Sequence, residues 1–169
     1  MGSGKSTVGK LLADKLSGRD KTTQFDFIDF DTHIEKETGK TITEIFDMGG
    51  EDKFRIMEHE HLKKLLIKNN VVIALGGGTP CFYNNIDLIN NSGTSVYFEM
   101  DAASLVKRLS EARNKRPLIR DLNEIELKYF IEANLEKRKQ IYRQAHFSIP
   151  VSQLSAEEAA EDIMRRIMK

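Results

Sequence analysis

"MGSGKSTVGK" spans residues 1–10, and its Gly4-Lys5-Ser6 has the form in which phosphate-binding loops end. That pattern runs Gly, four residues, then Gly-Lys-Ser/Thr. Backbone N–H groups of such a loop, at a helix N-terminus, converge on phosphate oxygens. The lysine reaches the β/γ-phosphates and the hydroxyl sits on Mg²⁺, the parts played here by Lys5 and Ser6. Gly2 and Gly4 lack the side chains that would stop the backbone closing round an anion. From Lys5 to Leu16 the apolar Val8, Leu11, Leu12 and Leu16 share one helical face, and Ser17-Gly18 supplies a stop. A glycine loop that runs straight into an amphipathic helix favours an anion cradle over a flexible polar start. The loop's first glycine would lie two residues before Met1. The expectation is therefore that Met1 is an internal methionine, and that the native chain carries an apolar strand upstream of it.

Working outward, "FDFIDFD" (25–31) alternates apolar and acidic residues, the pattern of a strand ending at Asp29 or Asp31. The Ser/Thr-rich stretch from Thr32 to Gly50 predicts short helices broken at Gly39 and Gly49-Gly50, and a longer helix follows over Glu51 to Lys68. "VVIAL" (71–75) is short, continuous and β-branched, as a strand covered on both faces would be. "TSVYFEM" reads as a further strand, Ala102 to Leu109 as a helix, and the charged, Pro117-containing residues 110–123 as a loop. Glu124 to Ala145 is helical, "FSIPV" is a last strand, and Ser155 with Glu158 forms a capping box for a terminal helix. Strands alternating with helices mean an α/β fold with a mainly parallel sheet.

A chain of 169 residues suits one domain with a single core. Hydrophobic residues at 40% and charged residues at 31% are ordinary for a globular protein. Lys+Arg and Asp+Glu are both 26, so no broad positive field exists to draw nucleic acid or an anionic membrane. Cys81 is the only cysteine; it reads as a small apolar residue rather than a nucleophile, and a cytoplasmic, reducing setting is the default. The longest aliphatic run is far too short to span a bilayer, and no signal peptide is visible.

Three further features point to chemistry. Asp29 and Asp31, two apart at the end of a strand, would project to one side, toward the crevice where open α/β sheets bind ligands. Two carboxylates there suit a Mg²⁺-linked role for one and a hydroxyl-binding or base role for the other. A solvated strand with acidic tips is the plainer alternative. Gly76-Gly77-Gly78 after "VVIAL" bares the backbone at a second strand end, which favours close approach of a ligand over an ordinary turn. Arg55, Arg116 and Arg138 stand beside apolar residues, and a planar fork binds carboxylate or phosphate bidentately. The four histidines lack metal-ligand spacing, and His59 and His61 would diverge on a helix.

The stretches "MGSGKSTVGKLLADKL", "IDFDTHIEKETGKTITEIF", "GGEDKFRIMEHEHL", "VVIALGGGTP", "KRPLI" and "LEKRKQIYRQA", in this order, resemble the shikimate kinase family over nearly the whole chain. The resemblance implies a P-loop kinase three-layer α/β/α sandwich, here without its first strand. It also implies one domain over 1–169, a substrate-binding region near 32–62 and a lid near 110–123. The implied activity is ATP- and Mg²⁺-dependent phosphorylation of the 3-hydroxyl of shikimate, by a monomer that needs neither nucleic acid nor membrane.

Residue by residue, Gly2, Ser3, Gly4, Lys5, Ser6 and Thr7 would hold ATP phosphates, with Ser6 and Asp29 on Mg²⁺. Asp31 matches the residue that binds shikimate hydroxyls and assists deprotonation. Arg55 and Arg138 match a clamp on the shikimate carboxylate, and Glu58 the residue orienting the first of them. Gly76, Gly77 and Gly78 match backbone contacts to shikimate, while Phe46 and Phe54 would line its pocket. Arg116 matches the lid arginine over the transferring phosphate, and Arg108 one that stacks on adenine. A gluconate kinase shares the loop and the size, but the Asp-x-Asp, Phe-Arg and triple-Gly set argues against it. A non-catalytic nucleotide-binding module would not need Lys5, Asp29, Asp31 and Arg116 all intact.

Overall fold

The computed structural model describes residues 2–19, 22–111, 119 and 122–168. Four short strands alternate with seven helices over these residues: α1 (Lys5–Ser17), β1 (Asp26–Asp29), α2 (Phe30–Thr38), α3 (Ile42–Leu66), β2 (Val71–Ala74), α4 (Asn85–Ser92), β3 (Val96–Glu99), α5 (Ala102–Glu111), α6 (Glu124–Tyr142), β4 (Phe147–Pro150) and α7 (Ala156–Ile167). A 3₁₀ turn, Thr79–Cys81, lies between β2 and α4. The expected lid falls mostly on residues 112–118, 120 and 121, outside the described residues.

Both strand pairings are parallel. β1 pairs with β2, placing Asp26 opposite Val71 and Asp29 opposite Ala74, and β3 pairs with β4, placing Val96 opposite Phe147. Successive side chains on a strand point to opposite faces, and β2 obeys this. Val72 packs into a core with Val8, Leu12, Leu105, Leu127, Ile149 and Ile163. Its neighbour Ile73 packs into a second core with Phe30, Ile34, Phe54, Leu62 and Leu65. Phe27 of β1 meets Gly9 of α1, while Ile28 joins the second core. Helices therefore cover both faces, as an apolar run such as "VVIAL" requires.

Among the described residues no ladder joins β2 to β3. Between the two pairs lies a cavity of about 1160 Å³. Val71–Leu75 and Val96–Phe98 line its apolar side; Lys5, Asp31, Arg55, Glu58, Gly76–Gly78 and Arg138 line its polar end.

Helix ends follow local rules. Ser155 and Glu158 form the expected capping box, and Thr41 with Glu44 and Asn123 with Glu126 form two more. α2 ends at Gly39 with a left-handed cap. The expected break at Gly49-Gly50 is present: Gly50 leaves the helical region (φ 69°, ψ −177°), so α3 is two helical segments joined at a kink, the longer one running on from Glu51. α4 had no counterpart in the sequence reading.

Candidate functional site

The opening residues form a cradle at the start of α1. Gly4 has φ 85° and ψ 10°, a left-handed conformation that a side chain would strain, and no side chain caps the helix behind it. The first N–H groups of α1 thus face forward, with the positive end of the helix dipole behind them. Lys5 Nζ donates to Ser3 Oγ at 3.3 Å. Arg108 on α5 lies over the same loop: its Nη1 would stand 3.7 Å from a side-chain carbon placed on Gly4. Ser6 Oγ donates to Asp29 Oδ2 at 2.5 Å, which joins the cradle to the end of β1.

Asp29 and Asp31 were expected on one side of a strand. The strand instead stops at Asp29, whose Oδ1 accepts from the Thr32 N–H at 3.3 Å and caps α2, so Asp31 sits in the first helical turn. Capping wins over the alternation because Phe30 is driven into the second core, fully buried. Asp31 nonetheless lines the cavity, and Asp29 stays close enough for its charge to act on it. Asp31 retains an exposed surface toward the cleft, yet the protein packed around its carboxylate withdraws water and raises its pKa. The charges of Asp29 and Glu58 raise it further, while Lys5 opposes them.

Arg55 is buried, at 7% exposure, and is held from several sides. Its Nη1 donates to Glu58 Oε2 at 2.6 Å; its Nε and Nη2 donate to Glu51 Oε1 at 3.2 and 3.0 Å. Its Cζ lies 4.6 Å from the centre of the Phe82 ring, a cation–π contact. Gly78 permits this seat, since a side-chain carbon there would stand 2.6 Å from Cζ. Burial works against the guanidinium charge, but Glu58 and Glu51 more than offset it and raise the pKa. Glu58 itself is 1% exposed, so the pair is desolvated and matched.

Arg138, on α6, lines the same cavity, and its charge reaches Cys81 and Tyr142, as does that of Arg55 at Cys81. Burial raises the Cys81 thiol despite both arginines, so the thiolate is disfavoured, in keeping with a structural role. Tyr142 donates to the Gly77 carbonyl at 2.5 Å and ties α6 to the glycine stretch. A side-chain carbon on Gly76 would meet Asp31 Oδ1 at 2.9 Å, Thr79 Oγ1 at 3.0 Å and Glu58 Oε1 at 3.2 Å, so these three groups converge on bare backbone. The Phe46 and Phe54 rings lie 4.7 Å apart and line the cavity.

The structure thus gathers Ser3, Lys5, Asp31, Phe46, Phe54, Arg55, Glu58, Gly76, Gly77, Gly78 and Arg138 round one cavity, with Ser6 and Asp29 tied together at the mouth of the cradle. Arg116 lies outside the described residues. His59 and His61 diverge as expected, one facing Asn85 and the other His33. The sequence reading missed Glu51, Thr79, Phe82, Asn85 and Tyr142. The first of these was detectable, since Glu51, Arg55 and Glu58 stand at i, i+4 and i+7, one face of a helix.

As to fit, Ser6 and Asp29 offer a hydroxyl and a carboxylate oxygen side by side, hard donors of the kind Mg²⁺ takes alongside retained waters. The uncapped helix start and Lys5 suit phosphate oxygens.

A family model described as shikimate kinase matches residues 1–168. A curated shikimate kinase of Azobacteroides pseudotrichonymphae is 41% identical over 99% of this chain and 95% of its own length. A crystal structure of shikimate kinase from Bacteroides thetaiotaomicron superimposes with a TM-score of 0.92 at 35% identity, covering 100% of this chain and 94% of that one. The shikimate kinase of Acinetobacter baumannii, solved in complex with shikimate, does so with a TM-score of 0.88 at 32% identity, over 99% and 88%.

Proposed function

The chain belongs to the shikimate kinase family, whose activity is ATP- and Mg²⁺-dependent phosphorylation of shikimate in aromatic biosynthesis, and we propose that the residues round its cavity divide that work as follows. The loop amides of Gly2 to Thr7 and Lys5 bind the phosphates, and Arg108 contacts the adenine side of the nucleotide. Ser6 and Asp29 hold Mg²⁺. ATP supplies the phosphoryl group, and Mg²⁺ neutralises charge on its oxygens.

Arg55 and Arg138 clamp the shikimate carboxylate, Glu58 orients Arg55, and Phe46 and Phe54 pack against the ring. The bare backbone of Gly76, Gly77 and Gly78 lets the substrate approach closely. Asp31 binds the hydroxyl face of the substrate and takes the proton of the attacking 3-hydroxyl at a carboxylate oxygen. A raised pKa brings a general base nearer the working pH. Lys5 and Arg116 place positive charge on oxygens that gain negative charge during transfer, and residues 110–123 close over them as a lid.

The observation that carries this reading is the convergence of Asp31 and the Arg55–Glu58 pair at Gly76–Gly78, beside the Lys5 cradle. Zero net charge gives no broad field for nucleic acid or an anionic membrane, and a single cysteine fits a reducing, cytoplasmic setting; a monomer acting on a small molecule follows from the family resemblance. No helix among the described residues is long and apolar enough to cross a membrane.

The test is shikimate-dependent ADP release. Arg55→Ala and Arg138→Ala should each raise the shikimate KM about a hundredfold, the range of a lost charge-assisted clamp, while the ATP KM stays within about twofold. Equal effects on both KM values would count against the clamp.

A further inference from the structure

Glu58 has two carboxylate oxygens and almost no water. Oε2 takes Arg55 Nη1; Oε1 takes the hydroxyl of Thr79, which is itself fully buried. Thr79 is fixed in turn. Asn85, also fully buried, donates from Nδ2 to the Thr79 carbonyl at 2.7 Å, and the Thr79 N–H donates to the Gly76 carbonyl at 3.3 Å. Asn85 Oδ1 lies 2.6 Å from His59 Nδ1, one helical turn beyond Arg55. The bonds therefore close a ring: α3 supplies Arg55, Glu58 and His59, the turn after β2 supplies Thr79, and the first residue of α4 is Asn85.

The ring matters because of what faces it. Across Gly76, Asp31 Oδ1 and Glu58 Oε1 approach the same point. Two carboxylates so placed repel. A hydroxyl on Oε1 gives that oxygen a donor and keeps Glu58 turned toward Arg55. Without it, a buried carboxylate oxygen is left unsatisfied, and the cheapest relief is a rotation that carries the guanidinium with it.

We propose that Thr79, locked by Asn85, is a positioning residue for the substrate-carboxylate clamp: its hydroxyl holds Glu58, and through Glu58 sets the direction of the Arg55 fork. This rests on the reading of Arg55 as a carboxylate clamp.

The experiment compares Thr79→Val, which keeps the shape and removes the hydroxyl, with Thr79→Ser, which keeps the hydroxyl, in steady-state assays on the full chain. Thr79→Val should raise the shikimate KM about tenfold, as for one charge-assisted hydrogen bond, with the ATP KM and kcat within about threefold of the parent. Thr79→Ser should return the shikimate KM to within about twofold of the parent. A residue that only supports the fold would lower the melting temperature and the active fraction without this selective change. Should Thr79→Val not yield folded protein, Thr79→Ala is read in the same way. An unchanged shikimate KM, or equal rises for both substrates, overturns the proposal. If Arg55→Ala in the same series raises the shikimate KM and Thr79→Val does not, the positioning role fails and the clamp stands. If neither does, both fail.

Discussion

Ser6 Oγ donates to Asp29 Oδ2 over 2.5 Å, so the first turn of α1 and the last residue of β1 share one hydrogen bond at the mouth of the phosphate cradle. The chain between them runs from α1 through a polar connection back into the sheet. In the proposed function, these two hard oxygen donors are the ones that hold Mg²⁺.

If that pair holds Mg²⁺, Ser6→Ala and Asp29→Asn should each raise the free Mg²⁺ needed for half-maximal rate by about tenfold or more. The double variant should fall well short of the product of the two, because both lose one site. The Asp29→Asn variant would keep the α2 cap, since asparagine caps as well as aspartate, and folding should be retained. Magnesium titrations of initial rate read the effect, and full additivity would separate the two residues.

Asp31→Asn should lower kcat by about a hundredfold or more, the usual contribution of a general base, and yet raise thermal stability at pH 7. The sign follows from the raised pKa. The folded chain binds the Asp31 proton more tightly than the unfolded chain does, so the ionised carboxylate costs stability at neutral pH, and that cost vanishes as pH falls through the native value toward 3.8. Melting curves should show Asp31→Asn ahead at pH 7 and the gap closing on acidification. A lower melting temperature at pH 7 would mean that the carboxylate is stabilised where it stands.

Gly78→Ala should disturb the clamp more than the fold. The added carbon would stand 2.6 Å from Arg55 Cζ, the end of a long side chain that is pinned by Glu51, Glu58 and Phe82. The guanidinium must shift, at an overpacking cost of about 1–3 kcal/mol. The expected outcome is a severalfold rise in the shikimate KM at unchanged ATP KM, with a melting temperature about 2–12 °C lower. An unaltered shikimate KM would place Arg55 elsewhere in the bound complex.

The fold was legible where local chemistry and tertiary burial agree. "VVIAL" is apolar throughout because β2 is covered on both faces, and the Ser155–Glu158 box sits where helix physics puts it. α4 escaped notice because "NIDLINNS" is asparagine-rich, and its Asn84 cap is left-handed (φ 54°) with no capping hydrogen bond to mark the start. In the site, Lys5, Ser6 and the acidic pair carry short-range patterns and were readable. The mutual hold of Thr79 and Glu58, 21 residues apart, and of Tyr142 and Gly77, 65 apart, leaves no periodic trace. Such partners are chosen by the packing of whole helices, which one-dimensional spacing does not encode.

The cavity between β2 and β3 has an effect beyond ligand binding. Where the two strand pairs face each other, amide and carbonyl groups have no ladder to complete among the described residues, over a greasy floor of valine and isoleucine. Backbone groups so placed are a template for pairing with a further extended segment.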